Sequence, residues 1–408
     1  MNAFQAQYYK EQKNEIYSTL LFQKDIEVAK EFQKIRPSSK ITIPIFSNKF
    51  SFFSNNEINS LNIKNKLQKN NFKTLSQSQL DKISRILDYP NKSKIGVENI
   101  DFNCIAQDID SHDQIISKKV IKQFTKKSYF DSKNYIDFIR HKSLHDQAFF
   151  RFLEIDPTTV DSISVDTFRC FLESYSSNIK SLERLNDDLD YFQEYYFEIV
   201  TTIFIFHLCH LKNSIIPIAS LFTSNLLLQY MNMDYFPKKK NELSLKLIID
   251  YYSLFVKLAD GSELLYQRHI KTIKNVTFTD VFLESLFEEL QLYEGGLDMT
   301  LFITLILALN NMTNEVGTDY FFTIIDIDKK GYISQYDILY FYKGMIQEIE
   351  LLEHDFDSFY AKLLDIAKCN EKVITKDVLV QSKTQDAFFK MLFDINTFKE
   401  LEDIEDDN

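Results

Sequence analysis

Five residues between 326 and 337 have the types and spacing of calcium ligands. A twelve-residue calcium loop takes oxygens from positions 1, 3, 5, 7, 9 and 12 and needs glycine at position 6 for a sharp turn. In the segment "DIDKKGYISQYD" the glycine is Gly331. The candidate ligands are the side chains of Asp326, Asp328, Ser334 and Asp337 and the backbone carbonyl of Tyr332. This pattern predicts a cation site between two helices.

Two positions of this loop depart from a working calcium site. Lys330 occupies position 5, where an oxygen should face the ion, and Asp337 is one methylene shorter than the usual glutamate at position 12. At an effective dielectric near 20, an ammonium ~4 Å from a dication is repelled by about 8 kcal/mol. Lys330 must therefore turn outward if an ion is to bind, which predicts a weak or vestigial calcium site. The other interpretation is that Ser334 and Asp337, which have the spacing of a capping box, start the next helix.

Two further groups contain side chains that could bind a metal. They are His141, His145 and Asp146 in one group, and His207, Cys209 and His210 in the other. The first predicts a solvated helix surface, because nothing supplies the remaining ligands. The second lies in the apolar run 199–211, which is about 13 residues long and too short to span a bilayer. It predicts core residues of a buried helix.

The sequence contains no motif of a known catalytic or nucleic-acid-binding site. It has no glycine-rich phosphate loop, no nucleophile elbow and no zinc-protease helix, so we expect no catalytic activity. The basic clusters 117–127 and 237–242 lack a reading module, so nucleic acid is not an expected partner. Four scattered cysteines and the lack of a secretory signal predict a cytoplasmic protein with reduced thiols.

Charge is distributed unevenly along the 408 residues. Residues 1–150 hold 24 Lys and Arg against 16 Asp and Glu, whereas the rest of the chain holds 23 against 43. The basic part favours either an anionic partner or a merely solvated surface. The predicted organisation is an N-terminal helix and extended basic linker over 1–75, two EF-hand-like domains over 76–240 and 241–399, and an acidic disordered tail over 400–408.

A helix–loop–helix unit repeats along the chain. Only seven Gly and six Pro occur, which predicts mostly helix. Within 335–352, apolar residues recur every three or four positions, on one face of an amphipathic helix. Further loop copies that have lost ligands lie at 88–99, 156–167, 208–219 and 257–268, and shorter remnants lie at 130–139, 293–302 and 369–378.

Each of the longer loop copies keeps one isolated apolar residue. These residues are Ile95, Ile163, Ile215 and Leu264. If the ion was lost and the packing kept, such residues pack between adjoining loops without a cation. Ordinary helix pairs joined by polar loops are the alternative.

Two long segments carry a family resemblance. "YEGGLDMTLFITLILALNN" (293–311) and "IIDIDKKGYISQYDILYFYKGMIQEI" (324–349), with fainter similarity at 78–90 and 388–398, resemble the B-double-prime regulatory subunits of protein phosphatase 2A, in particular the gamma and Tonneau2/FASS-like branch. The resemblance implies an all-α fold of elongated, tandem EF-hand-like modules with very short β-bridges between paired loops. Segment 255–270, where family members commonly keep a better calcium loop, has lost its acidic ligands.

The function implied by the resemblance is that of a non-catalytic regulatory and targeting subunit. Its expected partners are the scaffold and catalytic subunits of phosphatase 2A, and its expected sites of action are the centrosome, basal body, cilium or microtubule arrays. No cofactor is required beyond, at most, weakly bound calcium, and no membrane is involved. The alternative is a structural cytoskeletal or ciliary protein of the same fold that meets tubulin, centrosomal or axonemal proteins without the phosphatase. A true calcium sensor is the third hypothesis.

Overall fold

The computed structural model describes thirteen stretches of the chain. They are residues 77–89, 91–92, 94–96, 122–126, 129–156, 161–186, 192–209, 215–234, 241–290, 292–350, 355–369, 371 and 373–402. Within them the chain forms seventeen α-helices and seven strands of two or three residues. The predicted all-α class is therefore confirmed. The N-terminal segment predicted over 1–75 lies outside the described residues.

The described elements are mostly helices, with a few very short strands between them. The helices are α1 Gln77–Ile86, α2 Ser132–Ile155, α3 Val165–Ser176, α4 Glu183–Asn186, α5 Gln193–Cys209, α6 Ile218–Thr223, α7 Asn225–Met231, α8 Leu245–Ala259, α9 Gln267–Ile270, α10 Asp280–Glu289, α11 Met299–Asn310, α12 Glu315–Ile325, α13 Gln335–Glu348, α14 Phe356–Ala367, α15 Lys376–Ser382, α16 Gln385–Phe393 and α17 Ile395–Leu401. The strands are β1 Ile95–Gly96, β2 Thr125–Lys126, β3 Tyr129–Phe130, β4 Ser162–Ser164, β5 Ile215–Pro217, β6 Ile333–Ser334 and β7 Val373–Ile374.

The chain divides into two compact units. Unit 1 comprises residues 1–179 and 213–235, and unit 2 comprises 180–212 and 236–408. The predicted first domain, 76–240, differs from unit 1 because α5 packs against α8 and α11 of unit 2. The hydroxyl of Tyr196 on α5 also donates to the carbonyl of Leu243, 2.9 Å away. The division into two EF-hand-like domains at residue 240 remains a proposal.

Unit 1 contains two very small antiparallel sheets. One has the order β1-β3-β2, and the other pairs β4 with β5. In the second sheet Ile163 lies opposite Ile216, and both side chains are buried. Residues of α2 and α3 form the core beside it, with the rings of Phe152 and Phe171 4.6 Å apart in an edge-to-face arrangement. The paired loops thus meet through apolar side chains, as predicted.

Unit 2 contains two further pairs of bridged loops. Leu265 exchanges backbone hydrogen bonds with Leu297, and Ile333 lies opposite Ile374 in the pair formed by β6 and β7. All four side chains are fully buried. The prediction of very short bridges between paired loops is therefore confirmed in this unit as well.

Two of the isolated apolar residues were placed one position too early. Ile215 was expected to pack between loops, but 39% of it is exposed and its neighbour Ile216 is buried. Leu264 is likewise only half-buried, and Leu265 forms the bridge. Because successive side chains of a strand face opposite sides, an error of one residue exchanges the inward for the outward side chain.

Helix α5 confirms the buried helix predicted within 199–211. Ten of its residues are buried, and they are distributed all round the helix. A helix that is apolar on every face belongs in the core of a large domain or in a membrane. In the part of the chain that the structure describes, no helix is long and apolar enough to cross a membrane.

The end of the described chain differs from the predicted tail. Glu400 and Leu401 belong to α17, and the carboxylate of Glu402 lies 3.0 Å from the ammonium of Lys362. The acidic tail predicted to start at residue 400 therefore does not include these residues. Residues 403–408 lie outside the described part.

Candidate functional site

The candidate loop lies between α12 and α13 and is shaped by two left-handed residues. Lys329 has φ +55° and Gly331 has φ +79°, a region that glycine enters without steric cost. Asp326 caps the end of α12 and is buried. Its carboxylate accepts hydrogen bonds from the backbone N–H groups of Lys330, at 3.0 Å, and Gly331, at 2.6 Å. The carboxylate at position 1 of the loop therefore stabilises the backbone turn.

Ser334 and Asp337 form the predicted capping box at the start of α13. The N–H of Ser334 donates to the Asp337 carboxylate at 2.7 Å, and the N–H of Asp337 donates to the Ser334 hydroxyl at 3.5 Å. Asp337 is 2% exposed. Two backbone donors that the first turn of a helix leaves without a partner are satisfied in this way. The capping interpretation is confirmed.

Lys330 points into the loop, toward the candidate ligands. Its ammonium nitrogen lies 2.9 Å from a carboxylate oxygen of Asp328, 3.3 Å from the hydroxyl of Ser334 and 3.2 Å from a carboxylate oxygen of Asp337. The ring of Tyr332 lies 5.7 Å from the same nitrogen. The hydrogen bond to Asp328, followed by the contacts with Asp337, raises the pKa of this lysine. The loop is thus organised around a cation that belongs to the chain.

All the predicted site residues meet in this loop, but their arrangement does not fit a calcium ion. Calcium needs six to eight oxygens at about 2.3–2.6 Å. With Lys330 facing inward, three of the candidate side chains already bind its ammonium, and the carboxylate of Asp326 binds backbone N–H groups. Across the described residues, no group of three or more His, Cys, Asp or Glu side chains is arranged to hold a metal. The weak calcium site remains a prediction.

The orientation of Lys330 is the feature that the sequence did not reveal. A lysine at position 5 also occurs in the loop copy 88–99, where the ammonium of Lys92 lies 3.1 Å from a carboxylate oxygen of Asp88 at position 1. Both residues are largely exposed in that pair. The repeated lysine at one loop position was the available signal for an internal ion pair.

The first histidine group is only partly the solvated surface that was predicted. His141 is exposed, and Asp146 pairs with Lys142 at 2.5 Å. His145, however, stacks on Phe222 with ring centroids 4.8 Å apart. Burial, followed by the nearby positive charges of His141 and Lys142, lowers its pKa to about 4. His145 is therefore a packed neutral residue of unit 1.

The second histidine group provides no metal site among its described members. Cys209 is buried, and this burial raises the pKa of its thiol to about 11. His207 is half-buried, with Nε2 3.6 Å from a carboxylate oxygen of Glu242. His210 lies outside the described residues. The prediction of a core position is confirmed for Cys209.

The chain is similar to a set of curated proteins with a common description. The B'' gamma regulatory subunit of serine/threonine-protein phosphatase 2A from Homo sapiens is 26% identical over 143 residues, which are 34% of this chain and 32% of that protein. The Xenopus tropicalis subunit of the same description is 25% identical over 166 residues, 40% of this chain and 37% of the relative. A probable B''delta subunit of Arabidopsis thaliana is 27% identical over 113 residues, 27% of this chain and 21% of its own. The matched part thus spans about a third of the animal relatives.

A solved structure shares the fold. A chain of a structure described as a PP2A PR70 holoenzyme superposes with a TM-score of 0.56 at 18% identity. The match covers 63% of this chain and 99% of that one. No protein-family model matches the sequence.

Proposed function

We propose that this chain, a relative of the B'' regulatory subunits of protein phosphatase 2A, is itself a non-catalytic regulatory subunit of that phosphatase. The observation that carries the proposal is the combination of two similarities. The sequence relatives in animals and plants are described as regulatory subunits, and the fold matches nearly the whole of a chain in a phosphatase holoenzyme. Since the sequence match spans about a third of the animal relatives, the partners and the activity belong to the proposal.

The packing suits a protein that acts by presenting fixed surfaces. Pairs of helix–loop–helix units are bridged through buried side chains such as Ile163 with Ile216 and Ile333 with Ile374. Such bridges hold two loops together through apolar contacts, which need no ligand. In the proposed complex the chain binds the scaffold subunit and the catalytic subunit and determines which substrates the catalytic subunit reaches.

The cellular site of action is the finer part of the proposal. The resemblance to the gamma and Tonneau2/FASS-like branch suggests the centrosome, basal body, cilium or microtubule arrays. Imaging of the fluorescently tagged chain together with a tubulin marker tests this. A diffuse signal in every phase of the cell cycle would contradict the proposed cellular site. It would not contradict the proposed binding to the phosphatase.

The decisive experiment for the function is a native pull-down of the full tagged chain, analysed by mass spectrometry. We expect the scaffold and catalytic subunits of phosphatase 2A to be recovered in comparable amounts. The same tag on an unrelated helical protein is the control. Recovery of tubulin or axonemal proteins without the scaffold subunit would contradict the proposal and favour a structural cytoskeletal protein.

A second step distinguishes direct binding from capture through other proteins. The purified chain is mixed with the purified scaffold subunit, with the purified catalytic subunit, or with both, and each mixture is run on size exclusion. A regulatory subunit is expected to co-elute with the scaffold–catalytic pair. If the chain elutes separately from the other proteins in all three mixtures, the result counts against the proposed function.

A further inference from the structure

The ammonium of Lys330 contacts three of the side chains that would serve an ion in this loop. Asp328, Ser334 and Asp337 stand at positions 3, 9 and 12, which are ligand positions of a calcium loop. We call Lys330 and these three residues the Lys330 cluster. The nitrogen-to-oxygen distances lie between 2.9 and 3.4 Å. The contact with Asp328 is an ordinary charged hydrogen bond, and the contacts with Ser334 and Asp337 are longer and weaker. One ammonium therefore joins the beginning, the middle and the end of the loop.

The chemistry of the Lys330 cluster is complete without a further cation. A lysine ammonium has three N–H donors and no acceptor, and here it faces oxygens of three different residues. Its charge is opposed by two carboxylates, of which that of Asp337 has only 3% of its side chain exposed. A buried carboxylate left without partners is strongly destabilising, and here the ammonium of Lys330 pairs with Asp337 beside the N–H and the hydroxyl of Ser334.

Lys329, the neighbouring lysine, makes different contacts. Its ammonium bonds to Glu289 and to the backbone carbonyl of Thr323, and it touches none of the Lys330 cluster. Of these two adjacent lysines, Lys329 thus faces away from the loop interior and Lys330 faces into it. The inward position belongs to the residue at position 5, where an ion-binding loop would supply an oxygen.

In unit 1 another position-5 lysine pairs with a different carboxylate of its loop. Lys92 is at position 5 of the loop 88–99, and its ammonium lies 3.1 Å from Asp88 at position 1. The side chains are 64% and 43% exposed, so this pair contributes little to stability. It is nevertheless an independent instance of a position-5 lysine that pairs with a loop carboxylate.

We propose that Lys330 is a built-in replacement for the calcium ion of this loop, so that the helix pair α12 and α13 keeps one geometry at every calcium concentration. The ammonium and a dication exclude each other, because like charges ~4 Å apart in this partly buried loop repel strongly. Calcium therefore does not regulate this helix pair. If the proposed function holds, this loop does not make phosphatase binding dependent on calcium.

The test exchanges the internal cation for an oxygen donor. Lys330→Asn changes the loop to a D-x-D-x-N-G sequence, which has the calcium-loop pattern at its first six positions. The probe is terbium, whose luminescence the ring of Tyr332 at position 7 can sensitise, followed by displacement with calcium. We expect saturable terbium luminescence in the full-length variant and a rise of its melting temperature with calcium at about 1 mM. The wild-type chain is expected to give neither signal.

Lys329→Asn is the matched control. It removes the same charge and adds the same amide one residue earlier, in a left-handed conformation that asparagine tolerates. It leaves the Lys330 cluster intact, and we expect no terbium or calcium response. Micromolar calcium binding by the wild type, or an equal response of the two variants, would overturn the proposal.

One further measurement and one further variant keep the proposal testable if Lys330→Asn unfolds in a calcium-free buffer. The proposal then expects calcium to restore its folding, and lack of rescue counts against it. Lys330→Met removes the ammonium without adding an oxygen, so it should be destabilised and calcium should not rescue it. All of these readouts use the isolated chain, so their outcome is separate from that of the phosphatase pull-down.

Discussion

Lys330 and His145 are ionisable side chains that face inward, and their environments shift their pKa values in opposite directions. Lys330 is surrounded by oxygens, which raise its pKa and stabilise its charge. His145 lies against the ring of Phe222, its Nε2 has no hydrogen-bond partner among the described residues, and its pKa is lowered to about 4. A partner of suitable chemistry, more than the degree of burial, decides whether a charge is kept.

His145 predicts acid sensitivity of unit 1. Its folded pKa of about 4 lies below the ordinary value of 6.5, so the stability contributed by neutral His145 is present above pH 6.5. It is lost as the pH falls toward 4, because the unfolded chain takes up the proton first. Over this interval we expect the free energy of unfolding to fall by ~2 kcal/mol more in the wild type than in His145→Phe. Denaturant unfolding, followed with a probe in unit 1, measures this difference.

His141→Gln is the control for that measurement. The positive charge of His141 is one cause of the low pKa of His145, and burial also lowers the pKa of His141, so this replacement should reduce the pH dependence only in part and by less than His145→Phe. If wild type and His145→Phe lose stability in parallel between pH 6.5 and 4, the assignment to His145 is wrong.

Residue type and spacing predicted which side chains meet in the candidate loop, but not the direction in which one of them points. Ser334 and Asp337 form the capping box that their spacing predicts, because these contacts are local, whereas the carboxylate of Asp326, predicted as an ion ligand, accepts backbone N–H groups. Lys330 has a long flexible stem that could reach either solvent or the loop interior, and three-dimensional contacts decide between them. For a similar reason the sequence predicted the wrong inward residue of β5. Ile215 and Ile216 have the same side chain, and only the pairing with the partner strand distinguishes them.

At the scale of elements, the helices are joined by bridges between loops and by close helix contacts. Gly344 on α13 is an example of the second kind. A Cβ atom at this position would lie 2.6 Å from the Cβ of Val281 on α10. The two helices can approach this closely only because residue 344 has no side chain.

Gly344→Ala should therefore force α10 and α13 apart. We expect a net loss of about 1–2 kcal/mol in the free energy of unfolding, although alanine alone favours a helix. Lys343→Ala, on the exposed side of the same helix, is the control and should change the free energy by less than ~0.5 kcal/mol. In a Val281→Ala background the cost of Gly344→Ala should shrink by ~1 kcal/mol, and an unchanged cost would contradict the contact.

At the scale of the whole molecule, the chain leaves unit 1 at residue 180 and returns to it at 213. Two buried tyrosines report on the two units. Tyr196 donates to the carbonyl of Leu243 within unit 2, and Tyr230 donates to the carbonyl of Leu172 at 2.5 Å within unit 1. Sequence patterns predicted the helices in this region, but membership of a unit depends on contacts between residues far apart in the chain.

Removal of either hydroxyl should affect only its own unit. Tyr196→Phe is expected to cost ~1 kcal/mol and to speed hydrogen exchange in α8 and α11, whereas Tyr230→Phe should speed exchange in α2 and α3. Exchange followed by mass spectrometry distinguishes the two patterns. Faster exchange of α2 and α3 in Tyr196→Phe would mean that residues 180–212 belong with unit 1.

The apolar surface of α5 has a consequence for the synthesis of the chain. This helix is complete about 90 residues before its partner α11 begins to be made. At ~5–20 residues per second, about 5–18 s pass before its contacts with α11 can begin to form. The strand pair of unit 1 can form during that delay, since β5 follows α5 directly. During this delay the nascent chain is expected to bind molecular chaperones, and slower synthesis of residues 210–300 is expected to increase its aggregation.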